Sequence, residues 1–281
     1  MSFAQRGTGP VVAGFDGSPE AGRAVAWAVA EAKHQCRGLV LAYCTDDEES
    51  ARQRLDSTVE ALRRDNPGLD LRTVVRGGTP DAVLTSVADE TDAAMIVLGE
   101  SHTGVFARAV AGSIESEITR TAGRPVVVVR GDEPRQDGPV ILGTDGSEQS
   151  AQAAGFAFGY AARHGLAVHA VHVARMPAWG PSTEPLLGGP VLDPAPSIPQ
   201  EAADELVGRQ LTPWRERHPE VPVRILHGIG PAGQSLTEHS TDAALLVLGR
   251  SDHGDLRRLL LGSVSDDALH HAHCPVAVVR S

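Results

Sequence analysis

The chain has 281 residues, more than one average domain needs and enough for two of about 140. Its hydrophobic content of 41% fits a globular protein, and with only 4% aromatics the cores must be built from Val, Leu, Ile and Ala. A formal net charge of −11 argues against a broad electrostatic grip on nucleic acid, which needs clustered Lys and Arg, and no apolar run reaches the roughly 20 residues that span a bilayer. The three cysteines, Cys36, Cys44 and Cys274, form no CxxC pair and are odd in number, which suits a reducing cytosol. The opening stretch MSFAQRGTGPVV lacks the apolar core of a signal peptide, so a cytoplasmic location is expected.

Taken in chain order, the first half alternates short apolar runs with Ala-rich segments of helical period. VVAGF from Val11 reads as a strand, and Asp16-Gly17-Ser18 follows it. Ser18 as N-cap and Pro19 at the first helical position then open a helix through PEAGRAVAWAVAEAKHQ. LVLAYC, LRTVV, AMIVLG and PVVVV read as four more strands, rich in β-branched residues and without period-2 alternation. That is the pattern of parallel strands covered by helices on both faces. The polar segment Gly131 to Gly138 reads as a linker. The predicted boundaries are a first domain over 1–131, a linker over 132–138 and a second domain over 139–281.

The second half repeats the first. GPVVAGFDGS from Gly9 recurs as GPVILGTDGS from Gly138, where Ser147 takes the capping role before Glu148. AAMIVLG from Ala93 recurs as AALLVLG from Ala243, and RPVVVVR as CPVAVVR. Asp16 and Asp145 are 129 apart, whereas Gly99 and Gly249 are 150 apart, so the second copy holds 21 extra residues. These fall in the Pro-rich tract Met176 to Gln200, a loop after the copy's second strand that is either an inert insertion or a lid. Repeated strand–helix units imply right-handed crossovers, hence two tandem doubly wound five-stranded parallel α/β sheets. Placing Asp16 and Gly99 together at a switch point selects strand order 3-2-1-4-5.

Two elements per copy could carry chemistry. Asp16 and Asp145 end strand 1 and could accept hydrogen bonds from an adenine amino group or ribose hydroxyls, or could simply support the helix cap. After strand 4, Gly99 and Gly249 would let backbone approach a ligand, with Ser251 close behind in the second copy. Gly112-Ser113 and Gly262-Ser263 would offer free N–H groups, a hydroxyl and the positive helix end to phosphate. Alternatively, these are a glycine-tolerant loop and a Ser-capped helix. His270, His271, His273 and Cys274 do not form a metal set by spacing, and the first copy has no counterpart. No G-x-S-x-G, HExxH, CxxC or GxxxxGK[ST] occurs, and Lys33 is the only lysine, so no catalytic constellation is expected.

Asp-Gly-Ser after strand 1, the late glycine-rich loop ending Leu-Gly-Ser-Val-Ser, and His-Ala-His-Cys-Pro-Val before the last strand together resemble the universal stress protein family, and its tandem bacterial members in particular. The resemblance implies an adenine-nucleotide α-hydrolase-like fold and, in the nucleotide-binding members, the loop pattern G-x2-G-x9-G-[S/T]. It assigns Gly99, Gly112 and Ser113 in copy one, and Gly249, Gly262 and Ser263 in copy two. Asp16 and Asp145 would contact adenosine, Cys44 and Val173 the adenine, and helix-start contacts would fall on Ile114 and Glu115, and on Val264 and Ser265. Both copies depart at the second glycine, where His102 and Asp252 stand. Glu115 competes for the helix field in copy one, whereas Arg250, Arg257 and Arg258 surround the loop of copy two, so copy two is expected to be the better site.

The implied protein binds ATP or another adenine nucleotide, with Mg²⁺ as a possible companion, and passes a ligand-linked change to a protein partner. Its halves would form an internal pseudo-dimer with the last strands paired, open to further homodimerisation. The rivals are an interaction module of the same family that binds no nucleotide, a slow ATP hydrolase with Arg250 as its cation, and an aspartate-phosphorylated receiver, for which the acid cluster and lysine are lacking.

Overall fold

The computed structural model describes residues 9–45, 47–100, 114–131, 135–174, 200–250 and 263–280. In the first half the elements are β1 (Val11–Gly14), α1 (Pro19–His34), β2 (Leu39–Cys44), α2 (Glu48–Asp65), β3 (Leu71–Arg76), α3 (Pro80–Glu90), β4 (Met95–Gly99), α4 (Ile114–Thr121) and β5 (Val126–Val129). The second half gives β6 (Val140–Gly143), α5 (Glu148–His164), β7 (Val168–Ala174), α6 (Gln200–Arg217), β8 (Val223–Ile229), α7 (Ala232–His239), β9 (Leu245–Arg250), α8 (Ser263–His271) and β10 (Val276–Arg280). The helix starts follow the expected chemistry. Ser18 accepts from the Ala21 N–H with Pro19 in the first turn, and Ser147 accepts from the Ser150 N–H.

Strand order is β3-β2-β1-β4-β5-β10-β9-β6-β7-β8. Each half therefore has the order 3-2-1-4-5, and within each half the neighbours run parallel. The two five-stranded sheets are continuous: β5 and β10 pair antiparallel, with Val126 opposite Val278, Val127 opposite Ala277 and Val128 opposite Val276. Successive strand residues point to opposite faces, and both faces are covered. Val11 and Ala13 join a core under α1, α2, α5 and α6, while Val12 joins one under α3, α4, α7 and α8. That explains the unbroken apolar runs.

Register locates the insertion more closely than motif spacing does. Leu39 pairs with Leu71, and Val168 pairs with Val223, so the copies are offset by 129 at the second strand and by 152 at the third. Val11 pairs with Met95 and Val140 with Leu245, which returns the offset to 150 at the fourth strand. The second copy therefore gains 23 residues between β7 and α6 and gives back two before β9, instead of gaining 21 at one place. Residues 175–199, the Pro-rich tract, lie outside the described residues.

Side chains lock the seam on both faces. Arg130, just past β5, donates to the carbonyls of Leu269, His270 and Ala272 at the end of α8 and pairs with Glu100 at 3.1 Å. Arg250, ending β9, donates to the carbonyls of Thr119 (2.6 Å) and Arg120 at the end of α4. Each half thus supplies a guanidinium to the carbonyl-rich end of the other half's last helix, the favourable end for a cation. On the opposite face Glu31 of α1 is 1% exposed, and its carboxylate accepts from Gln35 (2.6 Å), Arg163 (3.0 Å) and His164 (2.8 Å). Burial by itself would raise the pKa of Glu31, but the His164, Gln35 and Arg163 donors outweigh it and hold the carboxyl below its usual value of 4.5.

A carboxylate depressed in this way adds stability that is present above its unfolded pKa and is lost as pH falls through the folded value. Glu31→Ala should therefore lower unfolding free energy at pH 7 by about 3 kcal/mol, because it strands a cross-seam cation and imidazole. The difference from wild type should shrink as pH drops below about 4.5. Urea midpoints across that pH range measure both effects.

Candidate functional site

At the carboxyl end of β1 the chain turns through Asp16-Gly17-Ser18. Gly17 has φ +84° and Gly146, its counterpart, +78°, a left-handed conformation that only glycine adopts without cost. The turn lets Asp16 Oδ1 accept from the Ser18 N–H at 2.9 Å, and Asp145 Oδ1 from the Ser147 N–H at 3.0 Å. One oxygen of each Asp therefore supports the helix cap, as the plainer sequence reading held. The second oxygens differ. Asp16 Oδ2 is buried and has no hydrogen-bond partner among the described residues, and the same holds for Glu20 Oε2 one turn away, whereas Asp145 is an exposed residue. At Asp145 partial burial is outweighed by donors from Ser147 and Ser150, so its carboxyl stays below the ordinary range.

The floors of the two turns also differ. In copy one Phe15 and Tyr43 meet edge to face, and Tyr43 Oη donates to the Asp16 carbonyl at 3.2 Å. In copy two Thr144 and His172 replace them. Thr144 Oγ1 donates to Gln210 Oε1 (2.6 Å), Gln210 Nε2 donates to Ser150 Oγ and the Ser147 carbonyl, and the Gly146 N–H donates to Thr144 Oγ1. His172 Nδ1 meets the Thr144 carbonyl at 3.0 Å. The Leu206 side chain of α6 lies where a Cβ on Gly146 would sit, 2.4 Å away, while at Gly17 no described residue comes within 4 Å of that position. Copy two closes its turn with Leu206 of α6; among the described residues, nothing closes that of copy one.

The other sequence-predicted residues fall as follows. Gly99 ends β4 beside this turn, but what its missing Cβ admits is helix α1: a Cβ would lie 2.5 Å from the Glu20 carbonyl group. Close approach is thus real at Gly99, and its partner is backbone. Cys44 is buried and donates its thiol to the Gly78 carbonyl at 2.8 Å, while Val173 is half-buried. Gly249 lies within β9, one residue before Arg250. Ser263, Val264 and Ser265 form the first turn of α8, with Ser263 exposed and Ser265 buried. Ile114 and Glu115 begin α4. Gly112, Ser113, Ser251 and Gly262, with His102, Asp252, Arg257 and Arg258, lie outside the described residues.

Arg250, which the sequence groups with the cations of the copy-two loop, is 7% exposed and donates to α4 carbonyls across the seam. Sequence reasoning also missed the charged fringe of copy one. Glu100, next to Gly99, pairs with Arg130, and Arg23 stands 3.6 Å from Glu20 and 4.0 Å from Glu100. The terminal arginine of PVVVVR was the available signal. His270 and His271 pair with Asp266 and Asp267 on their own helix.

A methyl group at Gly99 would press on the α1 backbone at Glu20 and Ala21, so Gly99→Ala should cost about 1–3 kcal/mol of stability. Gly22, in the interior of the same α1 with nothing near its Cβ position, should do the reverse, Gly22→Ala gaining about 0.5–1 kcal/mol. Thermal denaturation of the two variants side by side checks the assignment.

The universal stress protein family model matches residues 8–130 and again 138–280. Universal stress protein Rv2005c of Mycobacterium tuberculosis is 32% identical over 296 residues, covering 96% of each chain, and a universal stress protein of Mycolicibacterium smegmatis is 30% identical over 300 residues with the same coverage. Among solved structures, a universal stress protein from Archaeoglobus fulgidus matches with a TM-score of 0.68 at 14% identity, covering 96% of this chain and 98% of that one. That match speaks for the fold alone. With two copies of the domain matched end to end and the duplicated 3-2-1-4-5 sheet in view, the chain belongs to the universal stress protein family as a tandem member.

Proposed function

We propose that this chain is a regulatory protein that binds ATP or another adenine nucleotide at the carboxyl ends of β1 and β4, and that the half beginning at Gly9 is the occupied one. The observation that carries this reading is Asp16 Oδ2, a buried carboxylate oxygen without a donor. An unmet acceptor of this kind costs about 1–3 kcal/mol or more for a charged group, and buried polar atoms are otherwise almost always paired. A ribose hydroxyl or an adenine amino group would supply the missing donor. Cys44 at the end of β2 and Gly99 at the end of β4 frame the same turn.

Two features move the preference from the second half to the first. Arg250 is committed to α4, which removes a cation that had favoured copy two. The Thr144–Gln210–Ser150 network and Leu206 fill a position that no described residue occupies at Gly17. Phosphates would extend toward the start of α4, where Gly112 and Ser113 are the candidate contacts. Mg²⁺, if it accompanies the nucleotide, would ride on those phosphates. Binding would favour one arrangement of the strand-end loops and so alter affinity for a partner protein.

A second reading, an interaction module that binds no nucleotide, draws on His102 and Asp252 at the positions where binding members carry a second glycine. Calorimetric titration of ATP, with and without Mg²⁺, separates the two. Asp16→Asn keeps the acceptor for the Ser18 N–H and removes the charge, so it should weaken ATP by about tenfold or more, worth about 1.4 kcal/mol, with little change in melting temperature. Asp145→Asn should leave affinity near wild type. No heat from wild type under any Mg²⁺ condition favours the interaction module, and loss confined to Asp145→Asn moves the site to the second half.

A further inference from the structure

Beside α6, toward the carboxyl ends of the second half's strands, two histidines stand next to each other. His172 of β7 and His227 of β8 are partners in register, so both project from the same face of the sheet. Their ring centroids are 6.4 Å apart and their planes close to perpendicular, at 78°. The offsets of 129 and 152 between the copies put Tyr43 and Val75, likewise partners in register, at the matching positions of the first half. The histidine pair therefore belongs to the second half alone.

Each ring is held in one tautomer. His172 Nδ1 lies 3.0 Å from the Thr144 carbonyl oxygen, and His227 Nε2 lies 2.7 Å from Asp204 Oδ1 on α6. A carbonyl and a carboxylate can only accept, so both of these nitrogens carry hydrogen. In the neutral rings the lone pairs are left on His172 Nε2 and His227 Nδ1, and neither of those nitrogens has a hydrogen-bond partner among the described residues. An imidazole whose far nitrogen donates to a carbonyl or carboxylate is the usual form of a metal-binding histidine, and Asp204 adds negative charge beside the pair. Two metal–nitrogen bonds of about 2.0–2.1 Å each, added to the half-widths of the two rings, span roughly the separation seen.

His172 is 9% exposed and the His227 side chain 25%, so the pair is rooted in the core and opens to water at His227. Among the described residues no group of three or more His, Cys, Asp or Glu forms a ligand set, which leaves the remaining coordination positions to water. Neutral imidazoles suit Zn²⁺, Cu²⁺ and Ni²⁺, whereas Mg²⁺ and Ca²⁺ prefer oxygen. We propose that His172 Nε2 and His227 Nδ1 bind one late first-row divalent metal ion of the Zn²⁺ class. The ion would tie β8, the edge strand of the sheet, to β7. The site is separate from the strand-end turn of the first half and does not depend on nucleotide binding there.

Titration of the full chain with Zn²⁺, followed by calorimetry and by the ¹⁵N resonances of the histidine rings, tests it. The first equivalent of Zn²⁺ should shift His172 Nε2 and His227 Nδ1 ahead of every other ring nitrogen, and Mg²⁺ should shift neither. His172→Tyr and His227→Val, each taking the first half's residue at that position, should weaken the first equivalent about tenfold or more. His227→Gln, at a half-buried position, serves the same end if either variant does not fold. His271→Gln, on the exposed side of α8, should leave affinity unchanged. No heat up to millimolar Zn²⁺, first shifts at histidines other than His172 and His227, or affinity indifferent to substitution of the pair each overturns the proposal.

Discussion

The antiparallel ladder between β5 and β10 is the contact on which the rest of this structure depends. Without it, each half would end in an exposed edge of four consecutive valines or a near equivalent, the kind of strand that recruits other chains. Pairing Val126–Val128 with Val276–Val278 removes both edges at once. It also dictates which helices meet. α1 comes against α5 on one face and α4 against α8 on the other, so the chain had to supply compatible groups at each meeting. The Glu31–Arg163–His164 cluster and the two guanidinium-to-carbonyl contacts are those groups. Arg250 illustrates the reach of this constraint, because the seam determines where its charge goes.

Much of the architecture was legible from residue pattern. Unbroken β-branched runs meant strands covered on both faces, and the two copies of Gly-Pro-Val through Asp-Gly-Ser fixed the duplication. Ser18-Pro19 and Ser147 began helices where their chemistry said they should. The pairing of the last strands could be anticipated because PVVVVR and PVAVVR are too apolar to face water.

What stayed hidden was set by contacts distant in sequence. Arg250 sat in a glycine-rich loop and so looked like a phosphate ligand, but its partners are 130 and 131 residues away. Gly99 looked like a glycine kept for a ligand, and the atom nearest its vacant Cβ belongs to Glu20. The insertion in the second copy could be sized only once strand register was known, since motif spacing summed a gain of 23 with a loss of two. The asymmetry of the two turns was the deepest omission. Phe15 and Tyr43 against Thr144 and His172 are visible in an alignment of the halves, yet the consequence arises through Gln210 and Leu206 of α6, which no local pattern connects to the turn.

That asymmetry gives the protein its functional character in this account: one half with a carboxylate oxygen awaiting a donor, the other with its polar groups already paired among themselves. Hydrogen exchange of the full chain with and without ATP tests this most directly. The account predicts slowed exchange at the amides of Gly17, Ser18 and Glu100 upon ATP addition, with those of Gly146, Ser147 and Arg250 unchanged. Protection at the second set alone, or at neither, would contradict it.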